Sequence, residues 1–233
     1  MSIFHRFHPN LRHAIVHDLG WNQLRPVQEA AGNAILDGKN CVVLAPTAGG
    51  KTEAAILPIL SRILDEDQTP IAALYICPIR ALLNNQENRI KHYARMIGLD
   101  AFKWHGDVNA ANKKRFLANP SHILLITPES LEVILISQKA EAERLFAGLN
   151  TVIIDEVHAF AGDDRGVHLV ALLERLSAFC KRDLQRIGLS ATVGNPDEIG
   201  RWLQGSSKRL YERVDTGGAT MERTFTIDRV TDD

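Results

Sequence analysis

Short apolar runs rich in β-branched residues recur along the chain, and longer segments with apolar residues at helical spacing separate them. This alternation predicts parallel strands joined by crossover helices. The predicted strands are CVVLAP at 41–46, IAALYICP at 71–78, HILLITP at 122–128, NTVIIDE at 150–156 and QRIGLSA at 185–191, with DAFKWHG at 100–106 as a weaker candidate. Because these runs are almost continuously apolar, we expect both faces of the sheet to be covered.

The segments between the strands supply the helices that would cover the sheet. They are predicted at 51–64, 80–97, 109–118, 129–138, 165–180 and 196–204. In the fifth segment, Val167, Val170, Leu173 and Leu176 recur at three-residue steps, as residues on one face of a helix do. The pattern therefore predicts an α/β fold with a doubly wound, mostly parallel sheet and helices on both faces.

The two ends of the chain differ from this repeating pattern. Residues 1–36 are predicted to contain two helices, joined by GWNQLRP, ahead of the first strand. Residues 37–213 contain all the predicted strands and form the main domain. Residues 214–233 contain a glycine pair and one short alternating run, and we predict that they form a linker.

Composition and charge are those of an ordinary globular protein. The 233 residues suffice for one large domain, and 45% of them are hydrophobic and 24% charged. The formal net charge of -1 argues against binding nucleic acid through one broad basic face, so any such site must be local. Cys41, Cys77 and Cys180 lie far apart, and their spacing indicates neither a disulfide framework nor a zinc or iron–sulfur site.

Two further observations concern the location of the protein. The N-terminal residues lack the apolar core of a secretory signal, and no run approaches the roughly 20 apolar residues of a membrane span. The scattered cysteines fit a reducing compartment. We expect a cytoplasmic protein with no membrane partner.

The stretch APTAGGKT at 45–52 is a candidate phosphate-binding loop. The usual pattern, G-x-x-x-x-G-K-[ST], has glycine where this chain has Ala45, and the later positions fit. A predicted strand precedes the stretch and a predicted helix follows it, as they do where backbone N–H groups surround phosphate oxygens. The alternative is an ordinary helix that begins after a glycine turn. The predicted nucleotide-binding residues of the loop are Pro46, Thr47, Ala48, Gly49, Gly50, Lys51 and Thr52.

An acidic pair later in the chain would supply the metal ligand and the base that a nucleoside triphosphatase needs. Lys51 would contact the outer phosphates, and Thr52 would offer its hydroxyl to Mg²⁺. Asp155 and Glu156 end a predicted strand, where open α/β sheets bind ligands. Asp155 is placed to hold Mg²⁺ and Glu156 to orient and deprotonate water, although two acids that cap a strand-to-helix turn are the alternative. We therefore expect the phosphates of a nucleotide and Mg²⁺ to bind here, with Lys51, Asp155 and Glu156 as catalytic residues.

Five short segments resemble a known family. APTAGGKT, CPIRALLNNQ, TPES, DEVH and SAT occur in the order and rough spacing of motifs I, Ia, Ib, II and III of superfamily 2 DExH-box helicases. In that superfamily alanine commonly replaces the first glycine of the phosphate loop, as Ala45 does here. TPESLEVILIS, VIIDEVHAFAGDDRGVHLVALLERL and QRIGLSATV look most like Lhr-like helicases. The resemblance implies a RecA-like P-loop NTPase domain, the first of the two in such motors. Ala48, where the family more often has glycine, is a departure that should slightly stiffen the loop.

The resemblance also implies roles for residues outside the phosphate loop and the acidic pair. Gln28 looks like the Q-motif glutamine that contacts adenine. The residues that are similar to those lining a nucleic-acid backbone are Pro78, Arg80 and Ala81 of motif Ia, Thr127, Pro128 and Glu129 of motif Ib, and Arg165. The residues that would couple the nucleotide site to the nucleic-acid site are His158, Ser190 and Thr192.

The function that the resemblance implies is that of the ATP-binding motor domain of an ATP-dependent nucleic-acid helicase or translocase. Single-stranded or partly duplex nucleic acid is the expected partner, and the family favours DNA over RNA. Motifs IV to VI of a second RecA-like domain do not occur before Asp233, so we expect that domain to follow and the isolated first domain to be nearly inactive. A duplex-DNA translocase of the restriction or remodelling type and a stand-alone, nucleotide-dependent nucleic-acid-binding module stay open as alternatives.

Overall fold

One parallel sheet forms the centre of the protein, whose structure is a computed structural model that describes residues 2–46, 48–137, 139–162 and 164–217. The strands in these residues are β1 (Asn40–Leu44), β2 (Ala73–Ile76), β3 (Ala101–Trp104), β4 (Ile123–Ile126), β5 (Thr151–Ile154), β6 (Gln185–Ser190) and β7 (Tyr211–Asp215). They pair in the order β3–β4–β2–β5–β6–β1–β7, and each pairing is parallel. Thr47 of the predicted phosphate loop and residues 218–233 of the predicted linker lie outside the described residues.

Helices lie between the strands along the chain. The helices in the described residues are α1 (Pro9–His17), α2 (Pro26–Leu36), α3 (Lys51–Asp65), α4 (Arg80–Arg95), α5 (Ala110–Ala118), α6 (Pro128–Ser137), α7 (Lys139–Leu145), α8 (Asp164–Cys180) and α9 (Pro196–Gln204). Every helix predicted from the sequence is present, and α7 is an addition. No helix among the described residues is both long and apolar enough to cross a bilayer.

The two faces of the sheet have separate hydrophobic cores, because successive side chains of a strand point to opposite faces. On β1, Val43 belongs to the core that α1 to α4 cover, whereas Val42 and Leu44 belong to the core that α5 to α9 cover. Both cores consist mainly of fully buried aliphatic side chains. The predicted doubly wound α/β fold with helices on both faces is therefore confirmed.

The sequence pattern did not predict β7, which forms one edge of the sheet. It pairs with β1, and Leu44 lies opposite Asp215 in the register. Only Val214 of this strand is buried, and its neighbours Glu212 and Arg213 make ion pairs with Lys39 and Asp197. A half-exposed edge strand needs no continuous apolar run, which is why the pattern at 211–215 carried no signal. The strand ends two residues inside the predicted linker.

The parallel arrangement brings the sequence motifs together. The carboxyl ends of parallel strands meet at one edge of a sheet, where open α/β sheets bind ligands. At this edge Leu44 pairs with Ser190, and Ile76 pairs with both Ile126 and Ile154. The segments that follow these strand ends are the candidate phosphate loop, motifs Ia and Ib, the acidic pair and motif III. The carboxyl edge therefore brings all of these motifs to one side of the sheet.

Candidate nucleotide and nucleic-acid site

The candidate phosphate loop joins β1 to the start of α3. Gly50 precedes the first residue of α3 and has a φ of 89°, in the left-handed region that glycine adopts without strain. A side chain at Gly49 would place its Cβ 2.8 Å from the Pro46 carbonyl oxygen and 2.9 Å from the Ala45 Cβ. Both glycines are thus required by the path of the backbone. Ala48 also has a positive φ, of 64°, which a glycine would adopt more easily.

Lys51 turns back across this loop. Its Nζ donates hydrogen bonds to the carbonyl oxygens of Ala45, at 2.7 Å, and Pro46, at 3.2 Å. The ammonium group therefore lies on the loop and not out in solvent. At the N-terminus of a helix, this charge adds to the backbone N–H groups and the helix dipole, which together favour an anion.

Asp155 and Thr52 both lie next to the buried hydroxyl of Tyr75. The Tyr75 hydroxyl donates a hydrogen bond of 2.9 Å to Asp155 Oδ2, and the Thr52 side chain lies beside the same hydroxyl. Asp155 Oδ1 accepts a second hydrogen bond, of 3.0 Å, from the Glu156 backbone N–H. Burial raises the pKa of Asp155, although the hydrogen bond from Tyr75 opposes the rise. The carboxylate is thus held in place in surroundings that penalise its charge.

Glu156 and His158 connect the acidic pair to motif III. Glu156 is one of the few described non-glycine residues in the left-handed region, with φ and ψ both 47°, and this conformation begins the short 3-10 turn Val157–Ala159. His158 Nδ1 lies 3.1 Å from Ser190 Oγ and 3.5 Å from Glu156 Oε2. Strained backbone of this kind is concentrated at functional sites. Thr192, the other motif III candidate, is exposed two residues beyond Ser190.

Gln28 lies beside Gly50, near the end of the phosphate loop. It is 4% exposed, and its Oε1 accepts a 2.9 Å hydrogen bond from the Arg25 backbone N–H. Its Nε2 faces Gly50, where an added Cβ would lie 2.9 Å away. An open groove of about 670 Å³ begins here and is lined by Trp21, Arg25, Gln28, Gly50, Glu53 and Arg89, among others. The groove adjoins the phosphate loop, and it could therefore hold the base of a nucleotide whose phosphates bind to the loop.

Motifs Ia and Ib meet through Arg165, which extends from the start of α8. Its Nη2 donates hydrogen bonds to the Pro78 carbonyl oxygen, at 2.6 Å, and to Glu129 Oε1, at 3.0 Å. Next to Glu129, Pro128 is buried at the start of α6, and Thr127 Oγ1 accepts a hydrogen bond from the Ser130 N–H. Three predicted nucleic-acid residues are therefore joined directly, and Thr127 and Pro128 adjoin them.

Arg80 and Ala81 lie apart from that cluster. Both begin α4 and are exposed, and Arg80 Nη1 lies 2.9 Å from Asp107 Oδ2 in the loop after β3. This ion pair is exposed on both sides, so it contributes little to stability, about 0–1 kcal/mol. Arg80 is thus aimed along the carboxyl edge toward the β3 end of the sheet, and its guanidinium remains accessible.

Sequence reasoning missed several residues of this site. Tyr75 is the clearest case, although it carries the one hydroxyl in the predicted strand IAALYICP. Arg25 was also missed, and its Nη1 donates a 2.7 Å hydrogen bond to the Ala48 carbonyl oxygen of the phosphate loop. Glu53 directly follows the loop and is only 2% exposed. It forms an ion pair with Arg89 and accepts a 2.7 Å hydrogen bond from the Tyr93 hydroxyl. A buried acid within two residues of a phosphate-loop lysine is a signal that could have been used.

Comparison with known proteins settles the family. A family model described as "DEAD/DEAH box helicase" matches residues 25–199 of this chain. The matched range extends from Arg25 past Thr192 and contains the phosphate loop, the acidic pair and motif III. The chain belongs to the DEAD/DEAH box helicase family. The resemblance to superfamily 2 helicases is thereby confirmed.

Within the DEAD/DEAH box helicases, the chain is similar to Lhr proteins. It is 38% identical, over 197 residues, to the "Lhr helicase/ probable uracil glycosylase" of Mycolicibacterium smegmatis, covering 78% of this chain and 13% of that protein. It is 35% identical, over 203 residues, to the "ATP-dependent helicase Lhr-Core" of Methanocaldococcus jannaschii, covering 80% of this chain and 24% of that protein. The chain therefore spans less than a quarter of the length of either relative.

A solved structure supports the same assignment. The structure of Mycobacterium smegmatis helicase Lhr bound to ssDNA and AMP-PNP superposes with a TM-score of 0.79 and 34% identity, over 92% of this chain and 28% of that one. The match includes the RecA-like arrangement of the sheet. The predicted RecA-like fold is therefore confirmed along with the Lhr-like resemblance.

Proposed function

We propose that this chain is the first, ATP-binding motor domain of an ATP-dependent helicase or translocase that acts on nucleic acid, with DNA favoured over RNA. The contacts between motifs I, II and III support the proposal. The Ala45 N–H of the phosphate loop donates to the Ser190 carbonyl oxygen at 3.3 Å, and the Ser190 hydroxyl contacts His158 beside Glu156. A change at the phosphates would thus reach motif III through directly bonded groups.

The proposed roles follow from the chemistry of each side chain. Lys51 and the loop N–H groups would bind the phosphates of ATP, with Gln28 and the adjoining groove taking the adenine. Glu156 is half-exposed beside the loop and would orient the attacking water and accept its proton. Its proximity to His158 ties the position of this base to motif III.

Thr52 and Asp155 fit a divalent cation such as Mg²⁺. Their hydroxyl and carboxylate oxygens are the hard ligands that Mg²⁺ prefers. Burial raises the pKa of Asp155, and a bound cation would remove this penalty on the charged form. When bound, Mg²⁺ would neutralise negative charge on the phosphates.

For nucleic acid, we propose a track along the carboxyl edge past motifs Ia and Ib. Arg165 joins the Pro78 and Glu129 segments, and the accessible guanidiniums of Arg165 and Arg80 would contact phosphates. The preference for DNA rests on similarity to the M. smegmatis protein, whose structure contains ssDNA. We place the protein in the cytoplasm, where ATP and nucleic acid are both present.

The partner domain is also a proposal. The chain spans 13% and 24% of two helicase relatives, which leaves room in such proteins for a second RecA-like domain that closes the nucleotide cleft. We propose that this domain lies C-terminal to the chain and that residues 214–233 connect to it. Within the chain, residues 1–36 would form the N-terminal helices with the Q-motif segment, and residues 37–213 would form the RecA-like domain. Motifs IV to VI would belong to the second domain.

Two substitutions test this function in a protein that includes the second domain. Lys51→Ala removes charged hydrogen bonds worth roughly 1.5–3 kcal/mol each, so ATP affinity should fall on the order of tenfold or more. Glu156→Gln keeps the shape but cannot accept a proton, so ATP should bind as before while turnover falls by about 10²–10⁴-fold. Calorimetry and steady-state ATPase assays measure the two effects.

Glu143→Gln, an exposed change on α7, is the matched control and should alter neither quantity. Parent turnover in Glu156→Gln, or parent affinity in Lys51→Ala, would contradict the assigned roles. Strand-separation assays on partly duplex DNA would then distinguish a helicase from a duplex translocase.

A further inference from the structure

A buried tyrosine hydroxyl lies beneath the proposed metal-binding residues and has no role in the function described so far. Tyr75 is fully buried in β2, where it pairs with Leu125 of β4 and Ile153 of β5. Its ring is enclosed in the hydrophobic core on one face of the sheet. Its hydroxyl donates to Asp155 Oδ2 at 2.9 Å.

This hydroxyl and one backbone N–H together fix the Asp155 carboxylate. Oδ2 accepts from Tyr75 and Oδ1 accepts from the Glu156 N–H at 3.0 Å, so each oxygen has one donor. Two bonds to different oxygens prevent rotation of the carboxylate plane. Each oxygen still has a free lone pair, because a carboxylate oxygen can accept more than one bond. The carboxylate is thus oriented while both of its oxygens can still bind a metal ion.

The sheet itself does not require a hydroxyl at this position. Phenylalanine has nearly the same shape and would pack equally well in the surrounding apolar core. The described residues contain two other tyrosines with buried hydroxyls: that of Tyr93 donates to Glu53, and that of Tyr211 has no hydrogen-bond partner. The Tyr75 hydroxyl differs from both because it donates to the carboxylate of Asp155, which directly follows the neighbouring strand β5, and because it lies next to Thr52.

We propose that Tyr75 is a positioning residue that holds Asp155 in the orientation required to bind Mg²⁺ together with a nucleotide. The proposal rests on the function proposed above. Tyr75 acts through Asp155 and contacts neither metal nor nucleotide itself. Hydrogen-bond partners of metal ligands commonly contribute 10–100-fold to metal affinity, because they fix the ligand before the metal arrives.

The test is Tyr75→Phe in the chain described here, with ADP as the nucleotide. Mg²⁺ is titrated at a high, constant ADP concentration, and the melting temperature is followed at each step. We expect the Mg²⁺ concentration at half-maximal stabilisation to rise about tenfold. The stabilisation by ADP in EDTA should equal that of the parent, because it does not involve Asp155 and a metal.

Tyr211→Phe is the matched control, since it removes a buried hydroxyl that has no partner. Its Mg²⁺ dependence should match the parent. In an Asp155→Asn background, Tyr75→Phe should leave the remaining Mg²⁺ dependence unchanged, because the residue through which it acts is already altered. An equal additional effect in that background would overturn the proposal.

Two outcomes separate the failure of this proposal from that of the proposed function. If the parent shows Mg²⁺-dependent stabilisation by ADP and Tyr75→Phe shows the same half-maximal concentration, Tyr75 is not a positioning residue and the proposed function stands. If the parent shows no Mg²⁺-dependent stabilisation at any ADP concentration, the result contradicts both the positioning role of Tyr75 and the proposed function. A Tyr75→Phe variant that loses only ligand-free stability also overturns the positioning role.

Discussion

Two constraints act at Gly50, its left-handed backbone conformation and its close approach to Gln28, and experiment can separate them. It has a φ of 89°, and its position would bring an added Cβ within 2.9 Å of Gln28 Nε2. Gly98 has a similar φ of 79° with no heavy atom near its added Cβ. The two glycines therefore share the backbone constraint, and Gly50 alone has the contact with Gln28.

We predict that Gly50→Ala and Gly98→Ala each lower the free energy of unfolding by about 1–2 kcal/mol, the usual cost of the left-handed region. Only Gly50→Ala should weaken nucleotide binding, by about tenfold, because the added Cβ and the buried Gln28 Nε2 must move apart, which displaces either the loop or the glutamine proposed to contact adenine. Urea unfolding and calorimetry measure the two quantities. Equal nucleotide affinity in the two variants would show that the contact with Gln28 is unimportant.

At the residue scale, the sequence predicts local features of the site better than distant ones. The phosphate loop and the acidic pair are contiguous, so their spacing alone placed Lys51, Thr52 and Asp155 correctly at the carboxyl edge. The contact of Tyr75 with Asp155 joins residues on two strands, and the strand order was not known from the pattern. The roles of the individual site residues stay predictions until they are tested.

At the element scale, one glycine controls how α8 approaches the acidic pair. Gly166 lies in the first turn of α8, and an added Cβ would lie 2.0 Å from the Phe160 carbonyl oxygen, which follows the 3-10 turn after Glu156. This neighbour is backbone and cannot rotate aside. The helix and the turn must therefore separate if a side chain is introduced.

We predict that Gly166→Ala lowers the free energy of unfolding by about 1–3 kcal/mol, as overpacking does. A loss of stability would be informative, because alanine normally stabilises a helix relative to glycine by about 1 kcal/mol and helix propensity alone would predict a gain. Urea unfolding measures the change. Gly194→Ala, whose added Cβ meets no heavy atom within 4 Å, is the control and should lie close to the parent. A Gly166→Ala variant as stable as the parent would refute the steric argument.

The elements that the sequence predicted are those with a strong apolar pattern. β3 was a weak candidate and is present, and its Phe102 and Trp104 rings pack against Phe116 of α5, with Phe102 and Phe116 stacked at 4.5 Å. β7 was missed because an edge strand with alternating charges has almost no buried residue. Burial is what gives an element its pattern, so elements at the edge of the sheet are the hardest to predict.

At the scale of the whole molecule, the nucleotide site occupies one open edge. We predict that residues 1–233 alone bind adenine nucleotide weakly and scarcely hydrolyse ATP. In the complete motor that we propose, a second domain would close the cleft and supply an arginine finger, and such a residue is worth roughly 10³–10⁵ in turnover where it assists phosphoryl transfer. An open cleft also leaves the phosphates in water, which weakens every electrostatic contact.

Steady-state ATPase assays with and without single-stranded DNA measure this prediction, and a longer protein with the second domain is the comparison. The net charge of -1 gives no general attraction for DNA, so binding should be weak and sensitive to salt. Robust DNA-stimulated ATPase activity of the monomeric chain would contradict the prediction. It would favour a self-sufficient module over one half of a motor.

The order of the sheet has a consequence for how the chain folds as it is synthesised. Cys41 of β1 pairs with Ile187 of β6 and with Glu212 of β7, so both neighbours of β1 lie far along the sequence from it. Contact order is high for such pairings, and they form late. An emerging chain therefore carries β1 without its neighbours in the sheet until β6 has left the ribosome. The phosphate loop follows β1 directly, so we expect a chain that stops short of β6 to lack the ordered loop that ATP binding requires.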